Sequence, residues 1–261
     1  MRKTAKISAL LALVFLMALA QPAALYGGGL EFPNITILLP QDGTMGEEIT
    51  GNSVTLQILF LTVLIALLPS ILMVMTTFTR LIIVFSFLRS GMGTQQMPPN
   101  QVLVGLALML TMFLMAPYIA EINEQSFEPF AAGQISQEEA IDRAMAPLRT
   151  FMLRQPGMGE NISFFAQIGN VEGIDFTDHD TIPNSVLIPA FILHELAVGF
   201  FIGVLVFIPF IVIDMVVASV LMAMGMMMLP PAMISLPFKV LLFVLVNGWE
   251  LVIGSLVETF Y

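Results

Sequence analysis

Long apolar runs alternate with short polar stretches along most of this chain. Four of the runs reach the length of a membrane-spanning helix, and they cover residues 54–75, 102–120, 185–213 and 236–257. A helix needs about 20 apolar residues to cross the hydrocarbon core of a bilayer. Asp214 interrupts the third run, after which residues 215–229 are again apolar. The pattern predicts an all-α integral membrane protein with four long apolar helical segments.

Prolines and turn-forming residues divide these runs into two helical hairpins. Because proline removes a backbone hydrogen bond and clashes with the preceding turn, we predict bends in the helices at Pro69, Pro209, Pro230 and Pro231. The polar stretch over residues 90–101 contains two glycines and two prolines, which indicates a turn. The first hairpin is therefore assigned to residues 54–120 and the second to residues 185–261.

Residues 1–20 have the pattern of a secretory signal. Three basic residues precede an uncharged apolar run, and Ala18 and Ala20 place small residues at positions −3 and −1 of a cleavage site. The run is short for a spanning helix and has the length of a signal-peptide core. We predict a cleaved signal peptide over residues 1–20, with an uncleaved anchor helix as the alternative. After cleavage, the N-terminus of the mature chain lies outside the cytoplasm.

Two other stretches are acidic and contain no long apolar run. Residues 21–53 have three consecutive glycines and no lysine or arginine, and they are predicted to form an extracytoplasmic tether. Residues 121–184 carry eleven acids and three arginines, a net charge of −8. Within them Ser136 and Glu139 form a capping box, which predicts a small amphipathic helix that runs towards Arg154. The glycines, asparagines and aspartates that follow indicate a loop.

The distribution of basic residues predicts the orientation in the membrane. The polar stretch between the first two runs contains Arg80 and Arg89 and no acid, and cytoplasmic loops are enriched in lysine and arginine. This stretch is therefore placed in the cytoplasm, and the acidic residues 121–184 are placed outside it. With an exported N-terminus, the chain crosses the membrane four times and its C-terminus lies outside the cytoplasm.

Composition agrees with a membrane protein and narrows the possible functions. Hydrophobic residues make up 57% of the 261 residues and charged residues only 11%, with a mean hydropathy of +0.93. A net charge of −10 makes nucleic acid an unsuitable partner, because phosphates require a basic face. The chain has no cysteine, which excludes disulfides, thiolate metal sites and cysteine nucleophiles.

The sequence shows no pattern of catalytic or cofactor-binding residues. His194 and Glu195 match the first two residues of the H-E-x-x-H motif of zinc proteases, but Val198 occupies the position of the second histidine. The acidic residues around His179 allow a divalent-ion site, although a solvated acidic loop explains them better. Phosphate-binding loops, dinucleotide-binding glycine motifs and nucleophile elbows are missing. We predict a protein that is not an enzyme and holds no metal or cofactor.

Five charged residues lie within or beside the apolar runs: Arg80, Glu195, Asp214, Lys239 and Glu250. Each costs about 2.5–3.5 kcal/mol at the centre of a membrane helix, so each is expected to face protein or water. One interpretation is a proton or ion relay, and the other is ion pairing between helices or between subunits. Lys239 has a third possibility, since lysines near helix ends extend to the membrane surface.

Methionine is concentrated in one short stretch of the second hairpin. Six of the 20 methionines fall within twelve residues, at positions 222, 224, 226, 227, 228 and 233. Met226 to Met228 would spread over about 200° of a helix, so they cannot share one buried stripe. Gly225 and the two prolines indicate a bend or a short loop. Deformable methionines suit a ring that seals a pore and yields to a polypeptide, although lipid-facing or core packing is the simpler explanation.

Five sequence blocks between about residue 67 and the C-terminus are characteristic of one protein family. They are TTFTRLIIVFSFLR, PPNQVLVGLALMLTMF, PAFILHELAVGFFIG, FIPFIVIDMVVASVLMAMGMMMLPPAMISLPFK and LVNGWELVIGSL. Together they resemble the FliP family of type III secretion export-gate proteins. The chain departs from the family pattern at Phe201, where a polar residue is usual, and at Asn247, where aspartate is usual. These departures remove the basis for an ion pair at either position.

The resemblance implies a core subunit of the flagellar protein export gate. It implies a pentamer with FliR and FliQ, surrounded by other export-apparatus membrane proteins and membrane lipid, that conducts unfolded flagellar proteins. It also implies a multi-pass protein of the bacterial inner membrane, within the flagellar basal body and largely exposed towards the periplasm. The constriction of the implied pore maps onto Met226, Met227 and Met228, with Met222 nearby.

Three other functions are compatible with the sequence. An injectisome export-gate subunit of the SctR type shares the same blocks, but the signal peptide and the acidic outer segment favour the flagellar branch. An ion or small-solute transporter would use Glu195, Asp214 and Glu250 as its relay. The third is an assembly scaffold with no lumen of its own.

Overall fold

A computed structural model describes residues 62, 66, 69–94, 97–171, 173, 181–226 and 229–260. Several predicted features lie outside the described residues and stay predictions: the signal peptide over 1–20, the tether over 21–53, Met227, Met228 and the acidic residues around His179. The chain divides into two compact units, Met1–Ser70 and Ile71–Tyr261. The second unit contains nearly all of the described residues.

The regular structure within the described residues is entirely helical, which confirms the prediction of an all-α protein. The helices are α1 Pro69–Met75, α2 Phe78–Met92, α3 Asn100–Ile122, α4 Glu128–Ala131, α5 Gln137–Leu153, α6 Met158–Ile168, α7 Asn184–Ala223, α8 Pro231–Leu245 and α9 Gly248–Glu258. A π-helical turn, Asn123–Phe127, joins α3 to α4. The connection between α2 and α3 covers residues 93–99, within the turn predicted over residues 90–101, whose first three and last two residues belong to the helices.

Two of these elements are long and apolar enough to cross a membrane. They are α7 and the continuous stretch Asn100–Ala131, which contains α3 and α4. Two further pairs of helices qualify only together, because each pair is bent at a short break: α1 meets α2 at 80°, and α8 meets α9 at 63°. The described residues therefore hold two candidate spans, or four if each bent pair counts as one. The larger number equals the four predicted apolar segments, but the first bent pair covers residues 69–92, whereas the first predicted run covers 54–75. The polar stretch that contains Arg80 and Arg89 is helical over Phe78–Met92.

α7 is one unbroken helix of 40 residues. It continues through Asp214, so the polar interruption of the apolar run does not end the helix. The physical reason is that side chains of α8 bind the carboxylate. Pro209 lies in the interior of α7, and Pro230 and Pro231 lie at the N-terminus of α8. The 80° change of direction near Pro69 comes after Met75, six residues further along the chain.

α2 packs along α7 more extensively than any other two described helices pack together. Glycines of α7 make this close contact possible. A Cβ atom added at Gly203 would lie 2.5 Å from the Phe87 ring, and one added at Gly199 would lie 3.2 Å from Ile83. Since real Cβ atoms rarely approach their neighbours so closely, larger residues at these positions would push the two helices apart.

Apolar side chains of the second unit form two buried clusters. The first cluster packs α2 and α3 against α7, α8 and α9, and it includes Leu81 and Phe85. The second cluster joins α5 and α6 to the first turns of α7, and it includes Met152 and Phe191. Phe260, which follows α9, packs against both clusters. The two clusters thus meet where the chain leaves α9.

The amphipathic helix predicted in the acidic segment is present as α5. Ser136 caps its N-terminus, because the hydroxyl oxygen accepts a hydrogen bond from the Glu139 N–H at 3.2 Å. α5 ends at Leu153, and Arg154 occupies the C-cap position as the sequence indicated. A hydroxyl at the N-cap satisfies one of the backbone N–H groups that a helix leaves unbonded.

The loop predicted beyond Pro156 is wrong over the eleven residues of α6. Met158, Ile162 and Ala166 recur every four residues and are buried. Such a stripe places one face of a helix against the core, and here its burial outweighs the local preference of glycine and asparagine for turns. Gly157 begins the helix with φ at 87°, a left-handed conformation that glycine adopts readily.

Candidate functional site

Arg80 of α2 has the largest fully buried side chain among the described residues, with 1% of its surface exposed. Its Nε donates to Glu195 Oε2 of α7 at 2.9 Å, and its Nη2 donates to the other carboxylate oxygen. Glu195 is itself fully buried. The planar guanidinium matches the carboxylate through two parallel hydrogen bonds, which is the strongest arrangement for such a pair.

The other donors of Arg80 are bound to neutral groups. Nη2 also donates to Gln155 Oε1 at 3.1 Å, and Nη1 donates to the carbonyl and the hydroxyl of Thr259, both at 3.0 Å. The guanidinium carbon lies 4.0 Å from the centre of the Phe260 ring. A guanidinium has five N–H donors, and all five are satisfied. We call the residues around Arg80 the Arg80 cage: Glu195, Gln155, Thr259 and Phe260.

A second charged group joins α7 to α8. Lys239 Nζ donates to Asp214 Oδ2 at 2.6 Å and to the Gly91 carbonyl at 3.1 Å. Ser235 Oγ donates to Asp214 Oδ1 at 2.5 Å. Lys239 is buried, so its side chain turns inward and does not extend to a surface, whereas 39% of the Asp214 side chain is exposed. Gly91 lies at the C-terminus of α2, so the ammonium also faces the negative end of that helix dipole.

Glu250 differs from the other four charged residues because it is exposed. It lies in the first turn of α9, where its Oε2 accepts a hydrogen bond from Asn247 Nδ2 at 3.1 Å. A carboxylate is favoured there by the positive end of the helix dipole. Asn247 itself has φ at 53°, a left-handed conformation that asparagine tolerates better than most residues. No lysine or arginine of the described residues pairs with Glu250.

The described residues of the methionine-rich stretch lie at the end of α7, just after it, and at the start of α8. The Gly225 N–H donates to the Met222 carbonyl and the Met226 N–H to the Leu221 carbonyl, both at 3.0 Å. These two bonds form a Schellman motif, and Gly225 supplies its left-handed residue with φ at 76°. Met222 and Met226 are 59% and 42% exposed. The predicted turn therefore presents methionine side chains to the outside of the chain.

Large apolar side chains are exposed on α7 and α8 on both sides of this turn. On α7 they include Phe200, Phe201, Val204, Leu205, Met215, Val216 and Val220. On α8 they include Met233, Phe238, Leu241 and Leu245. An apolar surface of this extent is unfavourable in water and indicates contact with lipid or with other protein chains.

Histidine has a packing role in the described residues. His194 Nδ1 lies 3.4 Å from Asn161 Nδ2, so the side chain connects α7 to α6. His194 and Glu195, which follow each other in the sequence, are both buried. Within the part of the chain that the structure describes, no three His, Asp or Glu side chains are arranged to hold a metal ion.

The sequence indicated the charged members of the two groups but not their neutral partners. Gln155 and Thr259 lie 75 and 179 residues from Arg80 along the chain, and no local pattern connects them to it. Ser235 could have been found, because it precedes Lys239 by four residues. Residues four apart lie on the same face of a helix, so both were positioned to bind one acceptor.

Comparisons with known proteins agree with the sequence blocks. A family model described as the FliP family matches residues 60–256. The flagellar biosynthetic protein FliP of Pectobacterium carotovorum subsp. carotovorum is 48% identical over 231 residues, which are 88% of this chain and 88% of the relative. Its counterpart in Bacillus subtilis (strain 168) is 49% identical over 210 residues, covering 80% of this chain and 93% of the relative. The chain belongs to the FliP family.

Proposed function

We propose that this chain is a core subunit of the flagellar type III protein export gate and forms part of a pore for unfolded flagellar proteins. The observation that carries the proposal is the similarity, at 48–49% identity over most of both chains, to proteins named flagellar biosynthetic protein FliP. The protein works without catalysis in the bacterial inner membrane, as a multi-pass component of the flagellar basal body that is largely exposed towards the periplasm. Apolar helices of spanning length support this location.

The subunit acts as an oligomer, a pentamer that assembles with FliR and FliQ beside other export-apparatus membrane proteins. The support for oligomerisation is the apolar surface of α7 and α8, on which large side chains such as Phe201 and Leu245 are 66% and 73% exposed. Neighbouring subunits cover part of that surface and membrane lipid covers the rest.

The methionine turn supplies the constriction of the pore. Met226, Met227 and Met228 close the lumen, and Met222 lies one turn further back on α7. Thioether side chains are long and unbranched, so a ring of them can exclude water and still deform around a passing polypeptide. The exposure of Met222 and Met226 in the single chain leaves them available for contact with other subunits.

The charged residues hold the subunit together and do not form a relay. Both oxygens of Glu195 accept hydrogen bonds from Arg80, and both oxygens of Asp214 accept from Ser235 and Lys239. Glu250 is exposed on α9 and bonds to Asn247. An ion or small-solute transporter would need these carboxylates to exchange protons or ions, whereas Glu195 and Asp214 are each paired with a buried cationic side chain. This arrangement favours the export gate over the transporter.

A crosslinking experiment in a motile strain tests the proposal. The strain's own copy is deleted, and a plasmid supplies the chain with a photoreactive amino acid at Met226. We expect deletion to abolish motility, the plasmid to restore it, and a stalled flagellar substrate to crosslink at position 226. The matched control is the same amino acid at Ile141, an exposed apolar residue of α5.

The outcomes of this experiment distinguish the flagellar export gate from the alternative functions. Normal motility after deletion would point to an injectisome subunit. Absence of the crosslink at Met226 in an assembled complex, or equal crosslinking at Ile141, would contradict a pore and favour a scaffold.

A further inference from the structure

The two residues after α9 complete the Arg80 cage. The hydroxyl of Thr259 accepts a hydrogen bond from Arg80 Nη1 and at the same time donates to the Leu256 carbonyl at 2.7 Å. The Thr259 carbonyl accepts the second Nη1 hydrogen. Thr259 thus satisfies two of the five donors of a buried charge, and its hydroxyl is oriented for this by the last turn of α9.

Phe260 strengthens the same contact from the other side. Its ring lies against the guanidinium at 4.0 Å, a distance that favours a cation–π interaction. The ring also packs against both buried clusters. The segment after α9 is therefore attached to α2 through Arg80, and to the α5 and α6 region through the second cluster.

α9 itself has few other attachments to the described fold. Within the helix, the buried residues are Gly248, Val252 and Leu256, which lie on one narrow face, and Leu251 on another face is 59% exposed. At its N-terminus the chain turns by 63° at a break that contains Asn247 in a left-handed conformation. Close to this break, Trp249 packs edge-on against Phe85 and Phe243, with ring centres 6.4 and 5.5 Å apart. Further along, α9 is held by its buried stripe, by Ile253 and Val257 against the first cluster, and by the contact at its far end.

We propose that Thr259 and Phe260 form a latch on the Arg80 cage, and that opening this latch frees α9 to turn about Asn247. In the closed state the latch satisfies the two Nη1 donors of Arg80. In the open state Arg80 keeps both hydrogen bonds to Glu195 and the bond to Gln155, so α2 and α7 stay together. The latch thus controls the position of α9 separately from the rest of the fold.

Distance measurements between spin labels test the latch in the full chain. Because the chain contains no cysteine, two cysteines can be introduced cleanly, at Thr150 in α5 and at Ser255 in α9. Both positions are exposed, so the labels do not disturb the core. Pulsed electron–electron double resonance in lipid nanodiscs then gives the distribution of distances between the two spin labels, and so between α5 and α9.

Truncation after Glu258 removes the latch, whereas truncation after Phe260 keeps it and serves as the matched control. We expect one narrow distance distribution in the full chain and in the control. Without the latch, the distribution should become at least twice as wide. An unchanged distribution after truncation at Glu258, with circular dichroism showing intact helices, would overturn the proposal.

Point variants decide the outcome if the shorter chain fails to fold. Thr259→Val removes the hydroxyl acceptor but keeps the carbonyl, and Phe260→Leu removes the aromatic ring but keeps an apolar side chain. Both variants should widen the distribution, whereas Glu258→Gln, at an exposed position one residue earlier, should leave it unchanged. If Thr259→Val and Phe260→Leu left the distance distribution as narrow as Glu258→Gln does, the latch would be rejected, whatever the result for the truncated chain.

Discussion

A charge as deeply buried as that of Arg80 is tolerated only because every donor has a partner. The free energy of transferring an ion from water into a protein interior is several kcal/mol, and attraction to Glu195 offsets it only with good geometry. The fork shape of arginine supplies that geometry, whereas lysine has three donors on a single nitrogen. Lysine at this position would leave some of the acceptors in the Arg80 cage without a donor.

Glu195→Gln should destabilise the chain strongly. The substitution keeps the size of the side chain but removes the charge, which leaves Arg80 buried without a counterion. We expect a loss of about 3–5 kcal/mol in the free energy of unfolding, measured by denaturant titration in detergent micelles.

The matched control for this substitution is Glu139→Gln. Glu139 pairs with Arg143 on the exposed face of α5, where water screens the charges. Loss of this ion pair should lower the free energy of unfolding by less than about 0.5 kcal/mol. If the two variants were equally stable, the interior of this fold would have to be far more hydrated than the burial of Arg80 indicates.

At the scale of helices, the contact between α2 and α7 depends on small residues at defined positions. Gly199 and Gly203 are four residues apart and therefore share one face of α7. Their missing side chains let the aromatic ring of Phe87 and the side chain of Ile83 enter the groove between the helices. This close packing also brings the backbone of α7 near Arg80, whose Cα lies 3.4 Å from the Cβ position of Gly199.

Gly203→Ala should weaken this contact. The added Cβ would lie 2.5 Å from the Phe87 ring, and overpacking of this kind costs about 1–3 kcal/mol. Gly105→Ala in α3 is the control, because nothing lies within 4 Å of its Cβ position. Removing glycine from a helix at an open position should stabilise the chain by about 0.5–1 kcal/mol. Thermal unfolding of the purified chain measures both effects, and equal effects of the two variants would show that the groove is not tightly packed.

Apolar runs and cap signals are local, so the sequence predicted α3, α5, α7 and the region of α8 and α9. It did not predict α2, which forms from the polar stretch around Arg80 and Arg89. Ser136 and Glu139 are three residues apart, and both lie at the start of α5. The sequence was misleading where a distant contact decided the structure. Asp214 looked like an interruption, but Ser235 and Lys239 bind it and the helix continues. α6 was predicted to be a loop, because the glycines in and beside it and its asparagine are more conspicuous than the stripe of Met158, Ile162 and Ala166.

The candidate site shows the same division between local and distant information. Charged residues in an apolar run are visible in the sequence, since their burial is costly and requires a partner. Which residues form pairs depends on how the helices fold together. Arg80 is 115 residues from Glu195, and no spacing rule relates them.

At the scale of the whole molecule, the single chain leaves much of its apolar surface uncovered. Phe113 in α3, Phe201 in α7 and Leu245 in α8 are each at least 66% exposed. Soluble monomers keep such side chains scattered, whereas here they line whole helices. The described fold is therefore a component that reaches its stable state only in a membrane or against other chains.

Replacing Met226, Met227 and Met228 with alanine should make the assembled complex leak small ions. Alanine lacks the length and flexibility of methionine, so the ring proposed to close the lumen would leave a water-filled gap. Ion conductance of the complex in liposomes measures the effect. Met109→Ala on the exposed face of α3 is the control and should leave the conductance at its original value. Unchanged conductance in an assembled triple variant would contradict the seal.

The two charged groups have a mechanical consequence, because both connect α7 to α2. Glu195 and Asp214 are 19 residues apart, about 28 Å along the helix axis. Glu195 reaches α2 directly at Arg80, and Asp214 reaches it through Lys239 at the Gly91 carbonyl. A shift of one helix along the other by a single turn, about 5.4 Å, would break both connections at once. Shear between these helices therefore requires breaking both connections, so we expect any widening of the proposed pore to come from tilting of whole subunits or from the methionine turn.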